Sequence, residues 1–152
     1  IFAKNHQTQM ATTTATITLS SSDLTGDALS LSSTATLTKG NSVTGLDQTT
    51  GVARKTFTST DEVVIFGDAD YTATDPGFKV YLRNPSTVSS EYFLVKIGDG
   101  AATPATDFKD MGRLYAGDWT LFPYDASAAS DIIIKPSVAT SMTLEYMIIY
   151  HV

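Results

Sequence analysis

Cysteine is absent from this chain of 152 residues, which excludes disulfide staples, thiolate zinc sites and cysteine nucleophiles together. Charge is scarce as well: Asp, Glu, Lys and Arg make up 17% of the residues, where about 25% is usual. The basic share is the smaller, 10 Lys and Arg against 16 Asp and Glu, for a net charge of -6. Neutralising phosphates takes clustered Lys and Arg, so a nucleic-acid partner is not expected. No apolar run approaches the ~20 residues that span a bilayer, so no membrane partner is expected either. Histidine occurs only as His6 and His151. Both sit where chains tend to fray, whereas a Ser-His-Asp triad needs a base held by packing. Nothing forms a nucleophile–base pair, and the expectation is a non-enzyme with no catalytic, cofactor-binding or metal-ligating residues.

What the chain has in abundance is small hydroxyls, 24 Thr and 15 Ser. Hydrophobic residues at 42% and aromatics at 10% suffice for a core. The length fits one domain, or one domain with an extended arm. Composition divides it. Residues 1–60 hold 16 of the Thr and 8 of the Ser, with four basic and three acidic side chains. Residues 61–152 hold six basic and 13 acidic residues and all the aromatics except Phe2 and Phe57. The expected organisation is a Thr/Ser-rich β arm or layer over 1–60, packed on the rest or exchanged with a neighbour. A β-sandwich core follows over 61–152, in what is one compact domain overall. The chain opens on Ile1 with no secretory pattern. Either it is processed or earlier residues precede it.

Period-2 alternation dominates. Ala11, Thr13, Ala15, Ile17 and Leu19 share one face, with Thr12, Thr14, Thr16 and Thr18 on the other; Leu29, Leu31, Ser33, Ala35 and Leu37 repeat the device. Thr is β-branched and favours a pleated strand while keeping a hydroxyl for bonding. Further strands are expected at 52–58, 62–66, 78–83, 91–97, 112–116, 119–123, 131–135 and 142–151, separated by Gly, Asp, Asn and Pro turn signals. Ten short strands and no convincing amphipathic helix predict an all-β fold, an antiparallel β-sandwich or jelly roll. Three of them, 92–95, 132–134 and 146–150, are apolar on both faces. A sandwich strand normally wets one face, so these predict either central burial or a homo-oligomer interface.

Candidate chemistry is thin. The run GDADYTATDPG, with Asp68, Asp70 and Asp75, is the densest oxygen cluster, but it lacks the spacing and closing Glu of an EF-hand loop. A solvated turn is the expectation there, with a loop calcium site the sharper alternative. Gly98-Asp99-Gly100 lacks the helix and Lys of a phosphate loop and reads as a hairpin turn. Arg54-Lys55 reads as a solvated strand edge. The segment from Arg113 to Asp125 holds the only Trp, with Tyr115, Phe122 and Tyr124 beside it. It is expected to be a hairpin anchoring the core, with a sugar-stacking platform as the alternative.

The runs ITLSSSDLTGDALSLSSTATLTKGNSVTGLDQTTGVARK and AGDWTLFPYDASAASDIIIKPSVATSMTLEYMIIY carry a resemblance. A turn from Gly117 to Pro123, a strand from Asp131 to Ile134 and a closing strand from Leu144 to Ile148 together resemble small virion proteins of tailed, especially marine, bacteriophages. The resemblance rests on cadence over most of the chain and on no catalytic signature. It implies a jelly-roll-like decoration or cement protein on the capsid surface, often trimeric, made in the host bacterial cytoplasm. Its partners would be itself, as a homotrimer, and the major capsid protein. Trp119, Phe122, Tyr124, Ile133, Ile148 and Tyr150 are the candidate interface residues. Residues 1–50 would add strands to a neighbour's sheet. The alternative is a tail or surface-fibre domain that binds host carbohydrate through Trp119 and its aromatic neighbours.

Overall fold

The computed structural model describes residues 13–24, 26–38, 46, 48–67, 78–98, 108–125 and 130–150. Eleven strands and no helix run through them. The strands are β1 (Thr14–Ser21), β2 (Leu29–Thr36), β3 (Gln48–Thr49), β4 (Ala53–Phe57), β5 (Val63–Phe66), β6 (Phe78–Arg83), β7 (Tyr92–Gly98), β8 (Lys109–Tyr115), β9 (Trp119–Tyr124), β10 (Asp131–Pro136) and β11 (Met142–Tyr150).

The last eight strands nest about a central hairpin. β7 pairs antiparallel with β8, β6 with β9, β5 with β10 and β4 with β11. Rolling this nested ribbon over itself places β5-β10-β7-β8 in one sheet and β4-β11-β6-β9 in the other. That is the jelly-roll order, two antiparallel sheets face to face, in keeping with the all-β sandwich expected from the alternating patterns. β3 continues along the edge of β11 that β4 occupies. Gly51 takes φ +67 at the break between them. The Thr50 amide donates to the Ile148 carbonyl, and the Ile148 amide donates to Thr50 Oγ1, both at 3.1 Å. The jog thus leaves few backbone groups unpaired.

Alternate residues of each strand fill the space between the sheets. Phe57, Phe66, Phe78, Val80, Leu82, Phe93, Val95, Leu114, Tyr124, Ile132, Ile134, Met142, Leu144 and Ile148 form that core. Ring pairs tie the two sheets, a tilted one between Phe57 and Phe93 at 5.5 Å and an edge-on one between Phe66 and Tyr146 at 5.6 Å. At ~25 cal/mol per Å² of apolar surface this layer is the main stabilising term of the body.

The strands apolar on both faces are resolved largely within the chain. Ile148 faces inward, while Ile149 on the outer face is covered by Leu37 and Leu46. Ile132 and Ile134 face inward, and Ile133 is buried on the outer side between Val64 and Lys96. There Lys96 donates to Glu62 at 2.8 Å, and Lys135 lies 3.8 Å from the same carboxylate. Such long basic stems cover apolar surface while their charges reach water. The boundary expected near residue 60 falls earlier: the body's own strands begin with β3, and Phe57 is already core.

Candidate functional site

β1 and β2 form a two-stranded antiparallel ribbon that belongs to neither body sheet. Its register separates the sequence into a hydroxyl face and a mainly apolar face. Thr14, Thr16, Thr18 and Ser20 stand opposite Thr36, Thr34, Ser32 and Ser30, so one face carries eight hydroxyls. Thr16 and Thr34 hydroxyls lie 2.8 Å apart. The other face carries Ala15, Ile17, Leu19, Leu29, Leu31 and Ala35, with Ser33 opposite Ile17 and Ser21 opposite Leu29. Two strands cannot bury an apolar face by themselves. Ile17, Leu19 and Leu31 accordingly remain 45%, 52% and 48% exposed. Neither strand contains a charged residue.

The ribbon is rooted on the body. The Leu37 amide donates to the Thr13 carbonyl at 2.8 Å and the Leu46 amide to the Leu37 carbonyl at 3.0 Å. Ala15, first on the apolar face, packs against the cluster of Leu37, Leu46 and Ile149, as does Met147. The ribbon's apolar face therefore begins in contact with the outer face of the β4-β11-β6-β9 sheet.

That outer face is a grid set by register. One row runs Arg54, Glu145, Arg83, Trp119; the next runs Met147, Tyr81, Leu121; the third runs Ile149, Lys79, Pro123. Glu145 is buried and held from both sides. Arg54 donates through Nε at 2.9 Å and Nη2 at 2.6 Å to Oε1, and Arg83 donates at 3.1 Å to Oε2. The Arg54 hydrogen bonds, helped by Arg83, hold the Glu145 carboxyl below the usual carboxylate range against the opposing effect of its burial. Burial alone lowers the Lys79 ammonium. Trp119 is 54% exposed at the free end of the first row.

The residues singled out by sequence scatter across these surfaces. Trp119 lies on the outer face, while Tyr124 and Ile148 are core residues and Ile133 is buried. Phe122 and Tyr150 are half-buried against the core, Tyr150 with its ring 5.6 Å from Phe78. The expected hairpin at 113–125 is corrected: β8 pairs with β7 and β9 with β6, so the turn at Gly117 passes between sheets. Gly117 takes φ +84 there, and Trp119 points away from the core it was expected to anchor. Arg54 stands on the edge strand β4 with its side chain 72% exposed, as expected, and it also pairs with Glu145 across 91 residues. No local pattern marks a partner that distant.

Among the described residues no group of His, Asp and Glu has metal-ligand proximity. His6, His151, Asp68, Asp70, Asp75, Asp99 and Gly100 lie outside them. A cleft of about 180 Å³ opens between β8 and β9, lined by Val95, Met111, Arg113, Leu114 and Phe122. It is smaller than the ~300 Å³ of ordinary ligand sites. No described helix is long and apolar enough to cross a membrane.

No protein-family model matches the chain, and no curated protein does. Among solved structures, the Yersinia pseudotuberculosis-derived mitogen superposes with a TM-score of 0.44 and 16% identity, over 68% of this chain and 86% of its own. A likeness of that size carries no argument about activity.

Proposed function

We propose that this chain is a non-enzymatic structural protein of a bacteriophage particle, a decoration or cement subunit that binds the major capsid lattice as a homo-oligomer. The observation that carries this reading is the ribbon β1–β2, uncharged and apolar on one face, standing outside a jelly roll whose core is already closed. An element whose apolar face stays exposed beyond Ala15 among the described residues is suited to a neighbour. Jelly rolls serve in viral capsids and in lectins alike, so the fold adds only analogy.

The direct test exploits the ribbon's root. Thr13 and Leu37 are hydrogen-bonded neighbours, so residues 14–36 are replaceable by a Gly-Gly link that spares Leu37, Leu46 and β3. The shortened protein is expected to melt near the parent temperature and to lose its place on purified capsids. Undiminished capsid occupancy would sink the arm mechanism. Carbohydrate binding is the second reading, favoured by Trp119, exposed beside Arg83. A glycan array with Trp119→Ala separates the two: binding to a glycan that the variant loses would favour the tail or fibre domain.

A further inference from the structure

We infer that the edge of β8 takes up an extended segment of a partner protein, in which an acidic residue is followed by an apolar one whose side chain fills the cleft between β8 and β9. The site lies on the body and does not depend on the ribbon.

The cleft begins with a missing side chain. Gly112 stands opposite Val95 and two residues from Leu114, both core residues, so its position faces the space between the sheets. Nothing in the backbone asks for glycine there. Its φ is not positive, unlike those of Gly51 and Gly117. A Cβ built on it would meet no atom within 4 Å. The bulge that makes Met111 the extra residue calls for glycine only where the backbone turns left-handed. Unfilled space beside a core costs stability, yet about 180 Å³ stays open here, lined by Val95, Met111, Leu114 and Phe122. A cavity of ~150 Å³ holds a benzene ring, so one Leu- or Phe-sized side chain fits.

The edge supplies the backbone partner. Residues of a strand turn their N–H and C=O alternately to one side and the other. The Tyr115 amide donates to Asp118 Oδ2 at 2.9 Å and its carbonyl accepts from the Asp118 amide at 3.0 Å, so Tyr115 turns away from β7. Tyr92, opposite it, likewise turns away, towards Ser137. Two residues back, Arg113 faces the same open edge, and its N–H and C=O have no partner among the described residues. A segment laid antiparallel along this edge forms one narrow pair with Arg113. Its next residue then stands opposite Gly112, with the side chain pointing into the cleft. Main-chain bonds supply affinity in such an arrangement and the pocket selects the side chain. β9, across the cleft, offers less, since Pro123 lacks an N–H.

Charge sets the other residue. A residue opposite Arg113 shares its outer face, with Cβ atoms ~5 Å apart. The Arg113 guanidinium lies 4.7 Å from the Tyr92 ring centroid and 3.5 Å from the Tyr115 hydroxyl, and no described carboxylate pairs with it. The nearby acids are engaged elsewhere, Asp118 by the Tyr115 amide and Asp110 by Lys96 at 3.8 Å. A Glu or Asp from the partner is the complement.

The probe is the capped peptide acetyl-Thr-Glu-Leu-Thr-amide, titrated into the isotope-labelled protein and followed by NMR at the Arg113 and Gly112 amides. At millimolar peptide the Arg113 amide is expected to shift downfield. Replacing the peptide's Leu by Ala should weaken binding ~10-fold or more, the loss of about three methylenes from an apolar site. Replacing its Glu by Lys should weaken binding ~3-fold. In the protein, Gly112→Leu fills the cleft and should abolish binding at an undiminished melting temperature. Arg113→Pro removes the edge N–H and should abolish the shift at Gly112. Arg113→Ala keeps that N–H and should bind the Glu and Lys peptides alike. An Arg113 amide that no peptide shifts, binding that survives Gly112→Leu, or equal binding of the Leu and Ala peptides each overturns the inference. Toluene that shifts Gly112 where no peptide does would make the cleft a small-molecule site and overturns it as well.

Discussion

Asn84 is buried where β6 ends and serves three neighbours at once. Its Nδ2 donates to the Glu91 carbonyl at 3.3 Å and the Leu114 carbonyl at 3.1 Å, and its Oδ1 accepts from the Ser86 amide at 3.1 Å. Its backbone bonds Asp118 and Gly117, which ties the turn between β8 and β9 to the opposite sheet. Asn84→Ala strands those partners, and a loss of about 2–4 kcal/mol is expected in urea unfolding. Asn84→Asp should do no better, since a carboxylate would face two carbonyls. Gly117→Ala places a side chain at φ +84 and should cost about 1 kcal/mol by the same assay. Glu145 supplies a pH signature. A carboxyl held below its unfolded pKa contributes stability that is present above the unfolded value and lost as pH falls through the folded one. Melting temperature should therefore decline in acid below about pH 4.5, and Glu145→Gln should be less stable at neutrality with a flatter acid limb.

At the scale of elements, the ribbon is the part whose chemistry is plainest in one dimension. Alternation places Thr16 and Leu19 on opposite faces whatever the partner strand, because side chains in a strand alternate strictly. Ten of the strands were legible in that way. β3 was not, because two residues, Gln48 and Thr49, carry no period. Pairing was legible least. Leu114 and Trp119 are five residues apart, yet one enters the core and the other faces outward from a different sheet. The turn's crossing depends on Gly117 and on Asn84, a residue that no local window links to it. The site was legible only in part for the same reason. The apolar ribbon face follows from sequence, but the seat of Ala15 on Leu37, Leu46 and Ile149 follows from folding. Leu19→Arg should leave the melting temperature within about 2 °C, since surface changes are commonly within ±0.5 kcal/mol. A large drop would mean that the ribbon supports the body after all.

For the whole molecule, β11 is the seam: β3 and β4 lie on one side of it and β6 on the other. A chain truncated after Ser141 should lack fixed tertiary structure, checked as loss of the near-ultraviolet circular dichroism of the buried Tyr and Phe. The nested pairing also ranks contacts by distance along the chain, from the β7–β8 hairpin outward to β4 with β11. Such distant pairing folds slowly. The ribbon closes within its own short stretch and waits for nothing. On a ribosome it would emerge and pair first, while the body stays open until β11 follows. Each nascent chain would then hold a finished ribbon for the whole interval in which β4 and β6 still wait for β11 to join them.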